Sequence, residues 1–493
     1  MKAMFMLCAL LMFIPSAGIS AEATISLTLH EAIRLSAEKN LDVRAELYNP
    51  AQFEAEINRN RSIYNPLVTA QATYTDTKTP TLEVNQAATI TGQSLLLGAG
   101  ISQLFWTGGT VTASFNNSYN DTNRLAFSYW QSDLMLSLNQ PLLKNAGREV
   151  TESAITVSRL SKFASIEKFN TRLLNTVAQV KTEYNQLYNL REQTEVKKVS
   201  LGLARKILTE TKARVAAGVL PAMEILNAEF GAVSRERELN DAEKAVRDQM
   251  DVLRTLLQLE QRGDIETVDL PRRELIDVSE SDALQRVLNR PDIREQKRNL
   301  EIAELQTRVN LGKTLPDLAL LGSVGANGLH HDYNRDFEKV ATFDSPFWSV
   351  GLNFSYPLGN DAAENDYRKS RLKTEQTALQ IRSLEDSAAN EVRAAVRSVT
   401  TGYKQIEVTD RGRAFAEERL RAFVKKNEVG LATTKDVLDV ENDLATAKSN
   451  QILALVNYDN AITNLWKVTG ELLEREGIRF VEADADKLYS ATR

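Results

Sequence analysis

Two aspartates late in the chain are the strongest candidates for a chemical role. Asp436 and Asp439 lie three residues apart, shortly after the turn sequence Val429-Gly430. Residues with this spacing share one face of a helix, so both carboxylates would point the same way. Carboxylates at the start of a helix are also favoured by the helix dipole. The local pattern therefore leaves two roles open, an acidic site or simple helix capping.

The same pattern occurs earlier in the chain, which indicates an internal duplication. The corresponding pairs are Gly218 and Gly430, Glu224 and Asp436, Leu226 and Leu438, Asn227 and Asp439, and Glu229 and Glu441. Each glycine predicts the end of a helix, because glycine tolerates the positive φ of a C-terminal cap. Thr433 or Thr434 is predicted to cap the helix that follows. Two helical hairpins, with tips near 218 and 430, must therefore position the acidic residues.

The sequence contains no other arrangement of residues that indicates catalysis. It has no glycine-rich phosphate loop, no cysteine cluster and no nucleophile elbow, and its three histidines are His30, His330 and His331. The adjacent pair His330-His331 is interpreted as part of a loop. We predict that the protein is not an enzyme and uses no cofactor or metal.

Composition and the N-terminus place the protein outside the cytoplasm. The 493 residues are 26% charged and 43% hydrophobic, as in a folded protein, and the net charge of −6 argues against nucleic acid as a partner. Residues 1–23 are typical of a secretory signal peptide, with Lys2, an apolar run and Ala21-Glu22-Ala23. The alternative is an N-terminal helix. Cys8, the single cysteine, lies in this segment, so no disulfide is expected.

Long proline-free stretches predict long helices, because proline interrupts a helix. The predicted helices are 28–64 with a possible kink at Pro50, 148–217, 222–261, 281–313, 362–429 and 434–474. A 4-3-4-3 apolar spacing within the second helix predicts a coiled-coil seam, at Leu173, Val177, Val180, Tyr184 and Leu187. A helix of about 70 residues is about 105 Å long, and two shorter helices stacked end to end match it. A rod of this length suits a protein that crosses a wide compartment.

Segments of alternating character lie between the helices and predict strands with one apolar face. They are 66–77, 110–120, 132–139 and 348–356. Aromatic residues at strand ends and small polar residues on the second face suit a membrane barrel with a wet lumen. An ordinary half-buried sheet would show the same alternation, so this alternative stays open.

The first repeat carries an insertion of about 34 residues relative to the second. It contains a further predicted hairpin, Leu95–Trp106 and Thr110–Asn120, joined by Thr107-Gly108-Gly109. Short glycine-containing turns are typical of the periplasmic side of a barrel. The hairpin would form either two additional barrel strands or an extracellular flap.

Taken together, these motifs resemble the TolC-type outer-membrane efflux proteins over essentially the whole mature sequence. The similarity comprises the opening Leu27-Thr-Leu-His-Glu-Ala-Ile, the segment from Gln140 to Gly147, and Val429-Gly430 followed by Asp436-Val-Leu-Asp439. The resemblance implies a mainly α fold with a β-barrel part, built from a duplicated repeat. Three copies would form one α/β barrel tunnel in the outer membrane of a Gram-negative bacterium, extending into the periplasm. Closure across subunits agrees with physics, since hydrocarbon does not permit bare strand edges.

The resemblance also assigns roles to individual residues. Asp436 and Asp439, with Glu224, would form an acidic ring at the periplasmic entrance, and such rings attract cations. The hairpin tips, which would meet a periplasmic adaptor, are Gly218, Val219, Leu220, Gly430, Leu431 and Ala432. Family members lock the entrance with a tyrosine and an arginine where this chain has Asn427 and Ala432, so the lock must differ; Lys435 is one candidate.

The predicted function is a passive exit duct of a tripartite efflux or type I secretion system. Its expected partners are two further copies of the chain, a membrane fusion protein as adaptor, outer-membrane lipid, and an inner-membrane pump of the RND, ABC or MFS type. A periplasmic coiled-coil adaptor or scaffold protein is the main alternative. The predicted divisions are 1–23 signal peptide, 24–262 first repeat (strands 66–141), 263–280 equatorial linker, 281–474 second repeat (strands 316–357) and 475–493 equatorial tail. Twelve barrel strands are expected from two per repeat, or eighteen if the insertion contributes.

Overall fold

The structure is a computed structural model that describes residues 24–83, 86–260, 263–478 and 482–492. The predicted signal peptide lies outside the described residues. The chain combines two very long helices with one six-stranded sheet. Within the part of the chain that the structure describes, no helix combines the length and the apolar character needed to cross a membrane.

The helices follow the predicted plan closely. They are α1 (Leu29–Lys39), α2 (Leu41–Arg61), α3 (Arg148–Thr151), α4 (Ser153–Ala216), α5 (Met223–Leu257), α6 (Glu280–Arg286), α7 (Pro291–Lys313), α8 (Tyr333–Ala341), α9 (Asp361–Glu428), α10 (Thr434–Val468), α11 (Leu472–Arg475) and α12 (Glu482–Ser490). The long helices α4 and α9 contain 64 and 68 residues. At 1.5 Å per residue each is about 100 Å long.

Several predicted helix boundaries were wrong. The first predicted helix breaks at Asn40, whose backbone leaves the helical region (ψ 126°), whereas α2 continues through Pro50. The last predicted helix ends at Val468 rather than residue 474, because Gly470 adopts a positive φ of 78°. Glu152 likewise separates α3 from α4. In each case a single residue with non-helical backbone ends the helix, and hydrophobic periodicity does not detect it.

The strands are β1 (Ile25–Leu27), β2 (Leu67–Glu83), β3 (Gln86–Leu104), β4 (Thr110–Thr122), β5 (Tyr129–Pro141), β6 (Ile265–Thr267), β7 (Asp317–His330) and β8 (Pro346–Ser355). Six of them form one antiparallel sheet in the order β2-β3-β4-β5-β7-β8. The predicted inserted hairpin is therefore part of the sheet and does not form a separate flap. Its turn lies at the helical end, since Gly147 N donates to Thr107 O at 2.9 Å.

The register of the sheet separates an apolar face from a polar face. Residues directly opposite each other, such as Phe115 and Leu134 or Val324 and Trp348, lie on the same face. The exposed apolar side chains of that face are Val68, Tyr74, Leu97, Ile101, Leu134, Leu136, Leu138, Val324, Trp348, Val350, Leu352 and Phe354. The second face carries mainly threonine, serine, asparagine and glycine. We call the exposed apolar side chains of the first face the apolar band.

The long helices hold the two repeats together. The predicted seam is confirmed, because its residues are at most 4% exposed: Leu173, Val177, Val180, Tyr184 and Leu187. Helix α4 packs on α2 towards the sheet and on α5 towards the tip, and α9 packs on α7 and α10 in the same way. Contacts of α4 with α7 and α10 join the repeats. Two shorter helices thus lie along each long one.

Two features of the helical part were not predicted. Strands β1 and β6 form a parallel pair, and Tyr184 donates from its hydroxyl to Leu27 O at 2.8 Å beside them. The C-terminal helix α12 packs on α2. There the buried Lys162 ammonium lies 3.0 Å from Glu54 and 2.9 Å from Asp486, which ties the tail to α2 and α4.

Candidate functional site

The two hairpin tips have the same backbone structure. Gly218 and Gly430 adopt φ of 75° and 77°, and a Cβ added at either would meet open space. Val219 N donates to Arg214 O and Leu431 N donates to Lys426 O, both at 2.9 Å. This six-to-one hydrogen bond around a left-handed glycine is a Schellman motif. The glycines are thus required by their positive φ, as the sequence predicted.

Asp436 takes part in a capping box at the start of α10. One of its carboxylate oxygens accepts from Thr433 N at 2.8 Å and from the Thr433 hydroxyl at 2.7 Å. In return, Asp436 N donates to the Thr433 hydroxyl oxygen at 3.1 Å. The hydrogen bond from the Thr433 backbone, and then that from its hydroxyl, lowers the pKa of Asp436. The capping role left open by the sequence is present, and it keeps this carboxylate ionised.

The structure brings the tip residues and two of the three predicted acidic residues together around one cleft. The cleft measures about 910 Å³, and its lining includes Glu224 and Asp436 together with Val219, Leu220, Gly430, Leu431 and Ala432. One Glu224 oxygen, Oε2, is buried without a hydrogen-bond partner among the described residues. Asp439 is exposed one turn further along α10. Both hairpins therefore contribute carboxylates to the same end of the molecule.

Two arginine contacts join the hairpins at this end, and sequence reasoning missed both. Arg214 donates to the Asn427 backbone and side-chain oxygens at 3.2 and 3.3 Å. Deeper in the bundle, Arg235 on α5 pairs with Glu441 on α10 at 3.1 Å and donates to Leu438 O at 3.0 Å. Asn427 is thus an acceptor for an arginine of the first repeat. Lys435 is exposed, and its role in the lock stays a prediction.

Close packing accompanies the Arg235 contact. Leu438 is buried against Ala204 and Ala232, so that α4, α5 and α10 meet there. A Cβ added at Gly231 would lie 2.9 Å from a Leu438 methyl group. Glycine therefore permits α5 and α10 to approach closely at this level. The repeat pattern could have indicated a site here, since Glu441 corresponds to Glu229, which pairs with Lys212.

The capping box gives a testable pH dependence. Because the pKa of Asp436 is lowered, its charge, and the stabilisation that depends on it, persists as the pH falls below the usual carboxylate range. Thr433→Val removes the hydroxyl and leaves the backbone donor, so the pKa should rise part of the way back. Because the remaining shift is smaller, we expect the loss of thermal stability linked to Asp436, followed by circular dichroism as the pH falls, to be complete at a higher pH in this variant than in the wild type. Thr409→Val, at a half-buried site on α9, is the control. Coincident profiles for all three proteins would contradict the prediction.

Comparisons with known proteins agree with this architecture. The family profile for the outer membrane efflux protein family matches residues 283–471. The chain is 21% identical to the outer membrane efflux protein BepC of Brucella suis, over 78% of this chain and 82% of BepC. The CmeC outer membrane channel of Campylobacter jejuni has the same fold, with a TM-score of 0.66 at 17% identity, over 94% of this chain and 89% of CmeC. Residues 283–471 thus match the outer membrane efflux protein family, and the chain resembles members of that family in sequence and fold.

A further relative is named for the compound that it exports. The chain is 23% identical to the pyoverdine export outer membrane protein OpmQ of Pseudomonas aeruginosa, over 60% of this chain and 61% of OpmQ. As an outer membrane efflux protein, the chain is a passive exit channel and not an enzyme. It lies in the outer membrane and extends into the periplasm. The apolar band is the part of the sheet suited to contact lipid.

Proposed function

We propose that three copies of the chain form the exit duct of a tripartite exporter, with the acidic hairpin tips as its periplasmic gate. The trimer is inferred from the two edge strands of each sheet, β2 and β8, each of which has a partner strand on one side only. Neighbouring strands alternate in direction through the six, so β8 of one copy is antiparallel to β2 of the next. Lipid does not tolerate an open edge, and closure around a three-fold axis removes all of them.

The helical part has matching free edges. Helices α5, α4, α10 and α9 pack in this order, which leaves α5 and α9 at the two sides of the protomer. An exposed apolar stripe at helical spacing follows α5: Met223, Leu226, Phe230 and Val233. The half of helix α9 nearer the tip carries exposed apolar residues as well, Val408 and Phe415. Side-by-side packing of α5 on a neighbour's α9 would bury both stripes.

Six strands from each of three copies give an eighteen-stranded barrel. Barrel diameter grows roughly linearly with the number of strands, so this barrel would be wider than one with twelve strands. The additional width comes from the inserted hairpin of the first repeat. The outer opening is therefore wide, and control over passage falls to the helical end.

The gate follows from the charges at the tips. Three copies would place three Asp436, three Asp439 and three Glu224 side chains around the periplasmic entrance. Such a ring favours cations and holds a multivalent cation tightly, as charged rings do in other channels. The Arg214–Asn427 and Arg235–Glu441 contacts hold α9 and α10 against α4 and α5. These contacts keep the periplasmic entrance narrow.

The hairpin tips present apolar side chains to solvent. Val219 and Leu431, at corresponding positions of the two tips, are 70% and 77% exposed. Exposed apolar residues at the end of a periplasmic helical hairpin suit contact with the helices of an adaptor protein. We assign the tips, Gly218 to Leu220 and Gly430 to Ala432, to that contact. The energy for export then comes from an inner-membrane pump, of the RND, ABC or MFS type, joined through the adaptor.

Single-channel conductance tests the duct and the gate together. We expect small, cation-selective currents that trivalent cations block, and loss of that block in Asp436→Ala/Asp439→Ala, because the carboxylates that hold the cation are gone. Asp248→Ala/Asp251→Ala is a matched control, since it removes two exposed aspartates of the same spacing on α5.

Each other outcome is informative. Block that persists in the Asp436→Ala/Asp439→Ala protein would support the duct but contradict the gate role of the two aspartates, which would then serve in helix capping. A well-folded trimer that inserts and conducts nothing would contradict the duct itself.

A further inference from the structure

The short helix α8 lies on the apolar face of the sheet. The Phe337 ring packs edge-on against Phe115 at 6.0 Å between centroids, and the Tyr333 ring packs against Trp130 at 5.1 Å. Phe115 and Trp130 both belong to the face that carries the apolar band. The connection between β7 and β8, interpreted from the sequence as a loop, is therefore folded back over the outside of the sheet.

A closely packed and partly polar region of the sheet, which we call the seat, holds α8 in this position. A Cβ added at Gly328 would collide with the Asp336 backbone oxygen and would lie 2.9 Å from a Val340 methyl group. The Asp336 side chain is fully buried and accepts a hydrogen bond from the Ser132 hydroxyl. Asn117 in turn donates to the Ser132 oxygen at 2.5 Å. Strands β4, β5 and β7 thus all contribute to the seat.

The helix is amphipathic along its outward side. Asp332 caps it by accepting from Arg335 N at 3.3 Å. Tyr333 and Phe337 remain 43% and 48% exposed although they contact the sheet. Arg335 is exposed on the opposite flank, and Glu338 is exposed on the side that faces away from the sheet. An exposed aromatic flank beside a charged flank is typical of a helix that lies in the plane of a membrane surface.

The position of α8 along the strands fits the same interpretation. Trp130 and Tyr119, with rings 5.1 Å apart, lie near the strand ends furthest from the long helices. Aromatic residues form girdles at the two interfaces of membrane barrels. The cluster of Tyr119, Trp130 and Tyr333 therefore marks the level of the outer-leaflet headgroups, directly above the apolar band.

We propose that α8 is an in-plane lipid-contact helix of the outer leaflet. Phe115, on the face of the apolar band, contacts Phe337 and extends the apolar surface from the sheet onto α8. We therefore assign this surface to lipid and not to another protein. Tyr333 and Phe337 enter the boundary between headgroups and acyl chains, and Arg335 faces the headgroups. The helix then fixes the depth of the barrel in the membrane and covers the polar seat at Ser132 and Asp336.

Spin labels at single cysteines test this proposal in reconstituted protein. The only natural cysteine, Cys8, lies in the predicted signal peptide, so each introduced cysteine is the labelled site. Labels are placed at Phe337→Cys, at Glu338→Cys and, as a reference within the apolar band, at Val350→Cys. We expect collisions with oxygen to dominate at 337 and 350, and collisions with a water-soluble nickel complex to dominate at 338.

A second pair of variants separates the position of the helix from general folding. Gly328→Val should lift α8 from its seat and make the label at 337 accessible to the nickel complex. Gly351→Val, at a site with open space around the added Cβ, should leave the oxygen signature unchanged. Only variants that migrate as a folded trimer on gels are compared.

Two results would overturn the proposal. Nickel access at 337 in the otherwise natural protein, with 350 still in lipid, would leave the channel intact and place α8 in water. A label at 337 shielded from both reagents would place α8 against a neighbouring protomer. Nickel access at 350 would instead contradict the lipid assignment of the apolar band itself.

Discussion

Arg235→Ala is expected to open the periplasmic end of the channel and raise its conductance several-fold. The guanidinium is the main polar link between α5 and α10, and its partner Glu441 has a side chain only 5% exposed. Removing one member of a buried ion pair leaves the other charge desolvated, at a cost of about 3–5 kcal/mol. Movement of α10 away from α5 would return Glu441 to water, so the variant favours the open arrangement.

The control for this prediction lies on the same helix. Lys244→Ala breaks an ion pair with Asp248 whose side chains are 76% and 63% exposed. Exposed pairs of this kind contribute less than about 1 kcal/mol. Planar-bilayer recordings should therefore show the natural conductance for Lys244→Ala. Equal conductance in the Arg235→Ala protein would show that this contact does not hold the gate closed.

The second large effect is expected on stability, at Glu476. Lys181 on α4 is 1% exposed and lies 2.6 Å from Glu476 just after α11. Its ammonium is also 5.3 Å from the centroid of the Trp466 ring. Glu476→Ala would leave the buried Lys181 cation without its carboxylate partner, and we expect a loss of about 3–5 kcal/mol in the free energy of unfolding.

Thermal unfolding in detergent, followed by circular dichroism, measures this loss. The double variant Lys181→Met/Glu476→Leu should recover most of it, because an apolar pair needs no desolvated charge. Asp484→Ala, which breaks the exposed pair with Lys487, is the control for a mere change of charge near the C-terminus. A melting temperature of Glu476→Ala equal to that of the control would refute the role of the pair.

The parts of the fold that repeat along the sequence were predictable from it. The seam around Val177 and Tyr184 follows from apolar spacing, and the two tips follow from Gly218 and Gly430, where the backbone needs a positive φ. The alternation around Phe115 and Val350 gave the correct faces of the strands. These signals are local, so a single sequence contains them in full.

Contacts between distant segments were not predictable in the same way. The pairing of Arg235 with Glu441 joins residues that are far apart in the chain, and many exposed arginines in these helices have similar neighbours in sequence. Helix α8 was missed for another reason. Its apolar residues, Tyr333, Phe337 and Val340, have helical spacing after the cap at Asp332, but nine residues are too few to distinguish a helix from a loop by periodicity.

The two free edges of the sheet have a genetic consequence. In the proposed trimer every copy touches one neighbour through β2 and the other through β8. A chain with an altered β8 would still join the trimer through its intact β2. The barrel would then remain open at one subunit interface. Alleles that alter an edge strand should therefore be dominant over the normal allele, because one altered subunit inactivates the trimer that it joins. Alleles that prevent folding altogether should be recessive.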